Sequence, residues 1–229
     1  MTILQRTYWW MADYLYAAKW QLSALWRRQD PQLLLRGSAR PVLILPGVYE
    51  PWRFMMPIIT DLTDRGHPVH ILDPLRYNRV PVADGARLVG DYLAAQDLTD
   101  VAIVAHSKGG LIGKHAMSFG ADTFRIQTMV AIATPFGGSR YAQYFRGPTL
   151  RAFSPADATL VHLMHTTAVN ARITSVYPRF DPHVPEQSAL LGAHNVCVDT
   201  GGHFRILAHP RTLAEIRLVA ASASGDRPD

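Results

Sequence analysis

Five apolar residues, Val101-Ala102-Ile103-Val104-Ala105, run without a break into His106-Ser107-Lys108-Gly109-Gly110. An apolar run this short reads as a strand covered on both faces, and such strands belong to parallel sheets flanked by helices. The rest of the chain keeps the same rhythm from Arg40 onward. Strands are expected at 41–45, 67–72, 101–105, 126–133, 173–177 and 195–198, and helices at about 54–65, 83–95, 109–119 and 212–221. In the second of these helices Ala86, Val89, Leu93 and Ala94 recur at helical spacing. The alternation predicts an α/β fold, a mostly parallel central sheet with helices on both faces. Residues 134–155 are rich in aromatics, glycines and prolines with weak periodicity, and are read as the start of a small cap reaching about residue 170. The tail, 222–229, is expected to fray.

The chain has 229 residues, enough for one domain with a sizeable core. Cys197 is its only cysteine, so an intramolecular disulfide, a four-cysteine zinc site and an iron–sulfur cluster are all excluded. Lying in a β-run, Cys197 is read as a small buried hydrophobe. The net charge of +5 raises the question of an anionic partner, yet lysine occurs only at 19, 108 and 114 and the arginines are scattered without a basic block. Nucleic acid is therefore not expected as a partner. His162 and His165 lie three apart on a predicted helix but lack an evident third ligand, and no metal or other cofactor is expected.

The first 36 residues form a segment apart from the domain expected over 37–229. Leu4, Tyr8, Met11, Leu15, Ala18, Leu22 and Leu25 alternate steps of four and three along one face of an amphipathic helix. Asp13 and Lys19 interrupt any span of the length a bilayer requires, and the basic start and cleavage site of a secretory signal are lacking, so a cytoplasmic location is expected. Two readings of residues 1–28 stand. The apolar stripe packs on the domain's own core or on a second copy; or Trp9, Trp10, Trp20 and Trp26, with Arg6, Lys19, Arg27 and Arg28, suit the headgroup layer of a membrane.

Chemistry points to the junction after residue 105. A serine between a buried strand and a helix, with Ala105 and Gly109 two residues to either side, can occupy a strained turn that lifts its hydroxyl above the sheet edge. The following helix supplies N–H groups suited to an oxyanion. Ser107 could alternatively be a simple helix cap. A nucleophilic serine needs a base, and the base a carboxylate. Asp181 follows the penultimate predicted strand and His203 the last, which brings both to the sheet edge of Ser107. Asp199, Glu186 and Asp73 compete with Asp181 for the acid.

With these residues in view, the chain resembles an α/β-hydrolase of the bacterial lipase and esterase group over roughly residues 40–220. The resemblance rests on Leu45-Pro46-Gly47-Val48, Ala105-His106-Ser107-Lys108-Gly109, Ala133-Thr134-Pro135-Phe136-Gly137-Gly138-Ser139, Asp181 with Val184-Pro185, and Gly202-His203. It implies Ser107 as nucleophile, His203 as general base and acid, and Asp181 as its orienting carboxylate. It further implies an oxyanion hole from the N–H groups of Lys108 and Val48, with Tyr49 the alternative donor. Ala105 stands where the group has glycine, and Pro46 where it usually has histidine. Tyr49, Phe136, Tyr141 and Phe145 are the expected pocket residues, facing a small-molecule or lipid-like ester. An acyltransferase or thioesterase would use the same three side chains, and a silent binding protein would keep them unused.

Overall fold

The computed structural model describes residues 1–26, 30–144 and 147–221; Arg27, Arg28, Phe145 and the tail 222–229 lie outside the described residues. Six strands form one sheet: β1 (Val42–Leu45), β2 (Val69–Ile71), β3 (Val101–His106), β4 (Ile126–Ile132), β5 (Ile173–Phe180) and β6 (His194–Gly201). All pairs are parallel, in the order β2-β1-β3-β4-β5-β6. The order reverses at β1, so a crevice opens at the carboxyl ends of β1 and β3, where ligands bind in open α/β sheets.

Side chains alternate across this sheet and build two cores. Leu43, Leu45, Ile103, Ala105, Met129 and Ala131 face α3 (Val82–Ala95) and α4 (Lys108–Ser118), with α6 (Ala158–His165) laid on α4. Val42, Ile44, Ala102, Val104, Val130 and Ile132 face α2 (Met56–Thr63) and α7 (Pro210–Ala221). Because β1, β3 and most of β4 are buried on both faces, they read as continuous apolar runs. β6 is an edge strand and differs: Val196, Val198 and Thr200 point inward while Asn195, Cys197 and Asp199 face outward. Cys197 is therefore exposed, and the expectation of a buried thiol is corrected. A short α5 (Pro148–Arg151) precedes α6 in the 134–170 segment, where Phe153, Leu160 and Leu163 join the first core.

The amino-terminal α1 (Ile3–Trp26) lies against the second face, but not by the stripe its periodicity singles out. Leu4, Met11 and Leu15 are 83%, 55% and 69% exposed, and Tyr8 and Leu22 also face outward. The helix is seated instead by Trp9, Asp13, Tyr16, Ala17 and Trp20. Asp13 has no solvent exposure at all. The physical reason lies in the receiving surface: a carboxylate there finds three backbone N–H groups, and a pair of glycines leaves room for an indole and a carboxylate. Among the described residues no helix is long and apolar enough to cross a membrane.

Candidate active site

Ser107 sits between the end of β3 and the start of α4 with φ 49° and ψ −119°, a backbone conformation that costs a non-glycine residue about 1–3 kcal/mol. Its N–H donates to the Ile132 carbonyl at 2.8 Å, which anchors the turn to β4. A side chain at position 109 would meet the Leu45 carbonyl oxygen at 2.1 Å, so only glycine lets the helix approach β1 this closely. The Ser107 hydroxyl makes no capping bond to α4. It lies 3.0 Å from Nε2 of His203 instead, the geometry of a hydroxyl donating to a neutral imidazole.

Asp181 follows β5 and His203 follows β6, so neighbouring parallel strands deliver both groups to the edge where β3 ends. His203 Nδ1 and Asp181 Oδ2 are 2.8 Å apart. The other Asp181 oxygen accepts the N–H groups of His183 and Val184 at 2.8 and 2.9 Å. Burial works to raise the Asp181 pKa, but the His203 ring and these N–H groups outweigh it and hold the carboxyl below its ordinary value. Burial works to lower the His203 pKa, while the Asp181 carboxylate, followed by Glu50 and Asp13, lifts it above the ordinary histidine value. The pair is thus tuned so that a proton arriving on Nε2 is stabilised by a fixed negative charge.

Two further carboxylates brace His203 from behind. Asp13 of α1 accepts the N–H groups of His203, Phe204 and Arg205, each at 2.8 Å. It caps the single turn at Arg205–Ala208 from a distant part of the chain, as a favoured N-cap side chain does locally. Glu50 accepts from the Gly47 N–H at 2.7 Å and pairs with His106 Nδ1 at 2.8 Å. The other nitrogen of that ring reaches the His203 carbonyl at 3.0 Å. His106 therefore holds the backbone of His203 while Asp13 holds its amide. Periodicity alone missed Asp13 and Glu50. The available signal was Asp13 as the only acid in a 24-residue helix, together with the Gly201-Gly202 pair just before His203.

Of the two residues expected to supply the oxyanion N–H groups, Val48 lines the cavity in front of Ser107 and Lys108 opens α4 directly after it. Tyr49, at φ 61°, spends its N–H on the Tyr77 carbonyl at 2.7 Å, so that N–H is already engaged. The Lys108 side chain points away and is buried, bonding the carbonyls of Asn78 and Val80. Burial pushes its pKa down to about 8. Asn78 in turn donates to the Pro46 carbonyl at 2.7 Å, so one buried lysine and one amide fix the turn that carries Val48.

In front of Ser107 and His203 lies a cavity of about 530 Å³. Tyr49, Tyr141, Leu150, Phe153 and Phe204 line it. Phe136 does not: it is buried in the first core beneath the Lys114 ammonium, and its place in the pocket is corrected. The wall that sequence reasoning did not foresee comes from α1, through Trp10, Tyr14, Ala17 and Gln21. His183 also borders the cavity, its ring paired with the Tyr14 hydroxyl at 3.2 Å; burial lowers its pKa to about 4 and keeps it neutral. Asp199 and Glu186 pair with Arg179 and Arg140, and Asp73 is exposed on another turn.

Neither a protein-family profile nor a curated protein sequence matches the chain. Solved structures do. The mature lipase BlEst2 of Bacillus licheniformis is similar with a TM-score of 0.66 at 13% identity, covering 85% of this chain and 95% of that one. Aspergillus fumigatus lipase B gives 0.61 at 15%, covering 82% and 58%. An extracellular α/β-hydrolase from a Paenibacillus species gives 0.54 at 16%, covering 79% and 98%. With its six parallel strands and two helical layers, the chain has the α/β-hydrolase fold.

Proposed function

We propose that the protein is a serine hydrolase of carboxylic esters with an apolar acyl group, working through an acyl-enzyme on Ser107. The observation that carries this reading is the unbroken line of Ser107, His203 and Asp181 at 3.0 and 2.8 Å, opening on an apolar cavity. In the proposed reaction the Ser107 oxygen attacks the ester carbonyl carbon as His203 Nε2 takes its proton. The carbonyl oxygen becomes an oxyanion, stabilised by the Val48 and Lys108 N–H groups. Collapse expels the alcohol with the proton from His203, leaving the acyl group on Ser107. A water molecule, deprotonated by His203, then attacks this ester and releases the acid and the free serine. Asp181 keeps the ring in the tautomer that makes each step feasible.

Two of the structural neighbours are named as lipases, which agrees with this reading. The mainly aromatic and aliphatic lining favours acyl chains longer than acetyl. A p-nitrophenyl ester series tests both parts. Hydrolysis is expected to rise from acetate to medium chains, and Ser107→Ala to lose activity by a factor on the order of 10⁴ or more. Activity that survives in Ser107→Ala, or a steep fall beyond acetate, contradicts the reading.

A further inference from the structure

The helix that closes one side of the cavity also carries the largest run of exposed apolar side chains in the described structure. At 3.6 residues per turn α1 divides into three faces. Trp9, Asp13, Tyr16 and Trp20 are seated on the domain; Trp10, Tyr14 and Gln21 border the cavity; Leu4, Tyr8, Met11, Leu15 and Leu22 face outward. The cavity face and the outward face adjoin, and Trp10 and Tyr14, 48% and 41% exposed, lie where they meet. The apolar surface is therefore continuous from open solvent to the approach to Ser107.

The exposed charges that α1 and the Tyr49 margin carry beside it are cationic. Arg6 and Lys19 are exposed on α1, and Arg79 stands over the ring of Tyr49 at the cavity margin. Arg6 and Lys19 rest over Phe180 and Trp20, and none of the three has a carboxylate partner among the described residues. The helix's single acid is buried beneath it at Asp13. A second copy docking stripe to stripe brings these cations together with nothing to neutralise them. A bilayer with anionic headgroups accepts the apolar side chains and neutralises the cations at once.

We propose that the outward face of α1 docks on an anionic lipid surface, setting the mouth of the Ser107 cavity against the bilayer. Substrate would then pass from the lipid layer along Trp10 and Tyr14; that step rests on the ester-hydrolase reading, whereas docking does not.

The test is sedimentation of the full chain with vesicles of phosphatidylcholine containing a quarter phosphatidylglycerol, against phosphatidylcholine alone. Wild type is expected to bind the anionic vesicles, less so in high salt, and to show tryptophan emission quenched by brominated acyl chains. Leu4→Ser/Met11→Ser/Leu15→Ser, which leaves the cavity wall intact, should bind about tenfold or more weakly. Its hydrolysis of a soluble short ester and its melting temperature should be unchanged. Wild type that ignores the vesicles, binding unaffected by the triple substitution, or absence of quenching overturns the proposal. So does a wild-type dimer that the triple substitution makes monomeric and that fails to bind lipid. Lost docking with soluble-ester hydrolysis intact removes this inference alone; docking without any hydrolysis removes the ester reading alone.

Discussion

A carboxylate with no solvent exposure is costly unless its oxygens are occupied, and Asp13 accepts from three successive N–H groups on the loop that carries His203. Asp13→Ala leaves those donors without a partner and is expected to cost about 3 kcal/mol in denaturant unfolding. It should also lower kcat by about 10–100-fold with KM little changed, since the loss falls on the orientation of the general base. A purely structural role does not move the pH profile. In the proposed reaction Asp13 should: His203 has to be neutral to accept the serine proton, and its pKa is raised above the ordinary histidine value by Asp181, with Glu50 and Asp13 contributing. The acid limb of kcat/KM is expected above pH 6.5 in the wild type and at lower pH in both Asp13→Asn and Glu50→Gln. Ser107, His203 and Asp181 were legible because the order of strand ends delivers them to one edge. Asp13 was not, because its partners are main-chain groups 190 or more residues away, which leave no side-chain pattern.

At the scale of elements, the central strands were readable because burial on both faces turns them into short apolar runs, and the helices because one face meets the sheet. The exception is α1, whose strongest apolar periodicity marks its outward side. Its seat is written elsewhere, in the glycines of the β6 end. A side chain at 201 would stand 2.2 Å from Cε3 of Trp9, and one at 202 would stand 2.4 Å from the Asp13 carboxylate. Gly202 also has φ +115°, closed to other residues without strain. Gly201→Ala should therefore destabilise by about 1–3 kcal/mol, and Trp9→Ala should relieve most of that cost in the double variant. Additive effects in thermal unfolding would show that α1 does not sit on this pair. The pocket was half legible for the same reason: Tyr49 and Tyr141 lie on loops at the sheet edge, whereas Trp10 and Tyr14 reach it only through the docked helix. Phe136 has the right composition for a pocket residue, yet its segment turns it into the core.

Across the whole molecule, titration adds a signed constraint. Burial holds His70, His115, His183 and His209 below the ordinary histidine value of 6.5, to about 4 for His183. Between those limits the unfolded chain binds more protons than the folded one, so the contribution is complete above 6.5 and is lost as pH falls toward 4. His203 and Asp13, both raised, work in the opposite direction. Acidification from pH 6.5 toward 4 should lower the melting temperature of His183→Gln less than that of the wild type. The same pH dependence in both proteins would mean the His183 ring stays hydrated in the folded state. The proposed reaction turns on the Ser107 hydroxyl, and that hydroxyl can be interrogated directly. The wild-type protein, incubated with a fluorophosphonate, is expected to take a single adduct that peptide mass spectrometry places on Ser107, with labelling abolished in Ser107→Ala and slowed in His203→Ala. A wild-type chain that keeps its unmodified mass, or an adduct on another residue, would contradict the account.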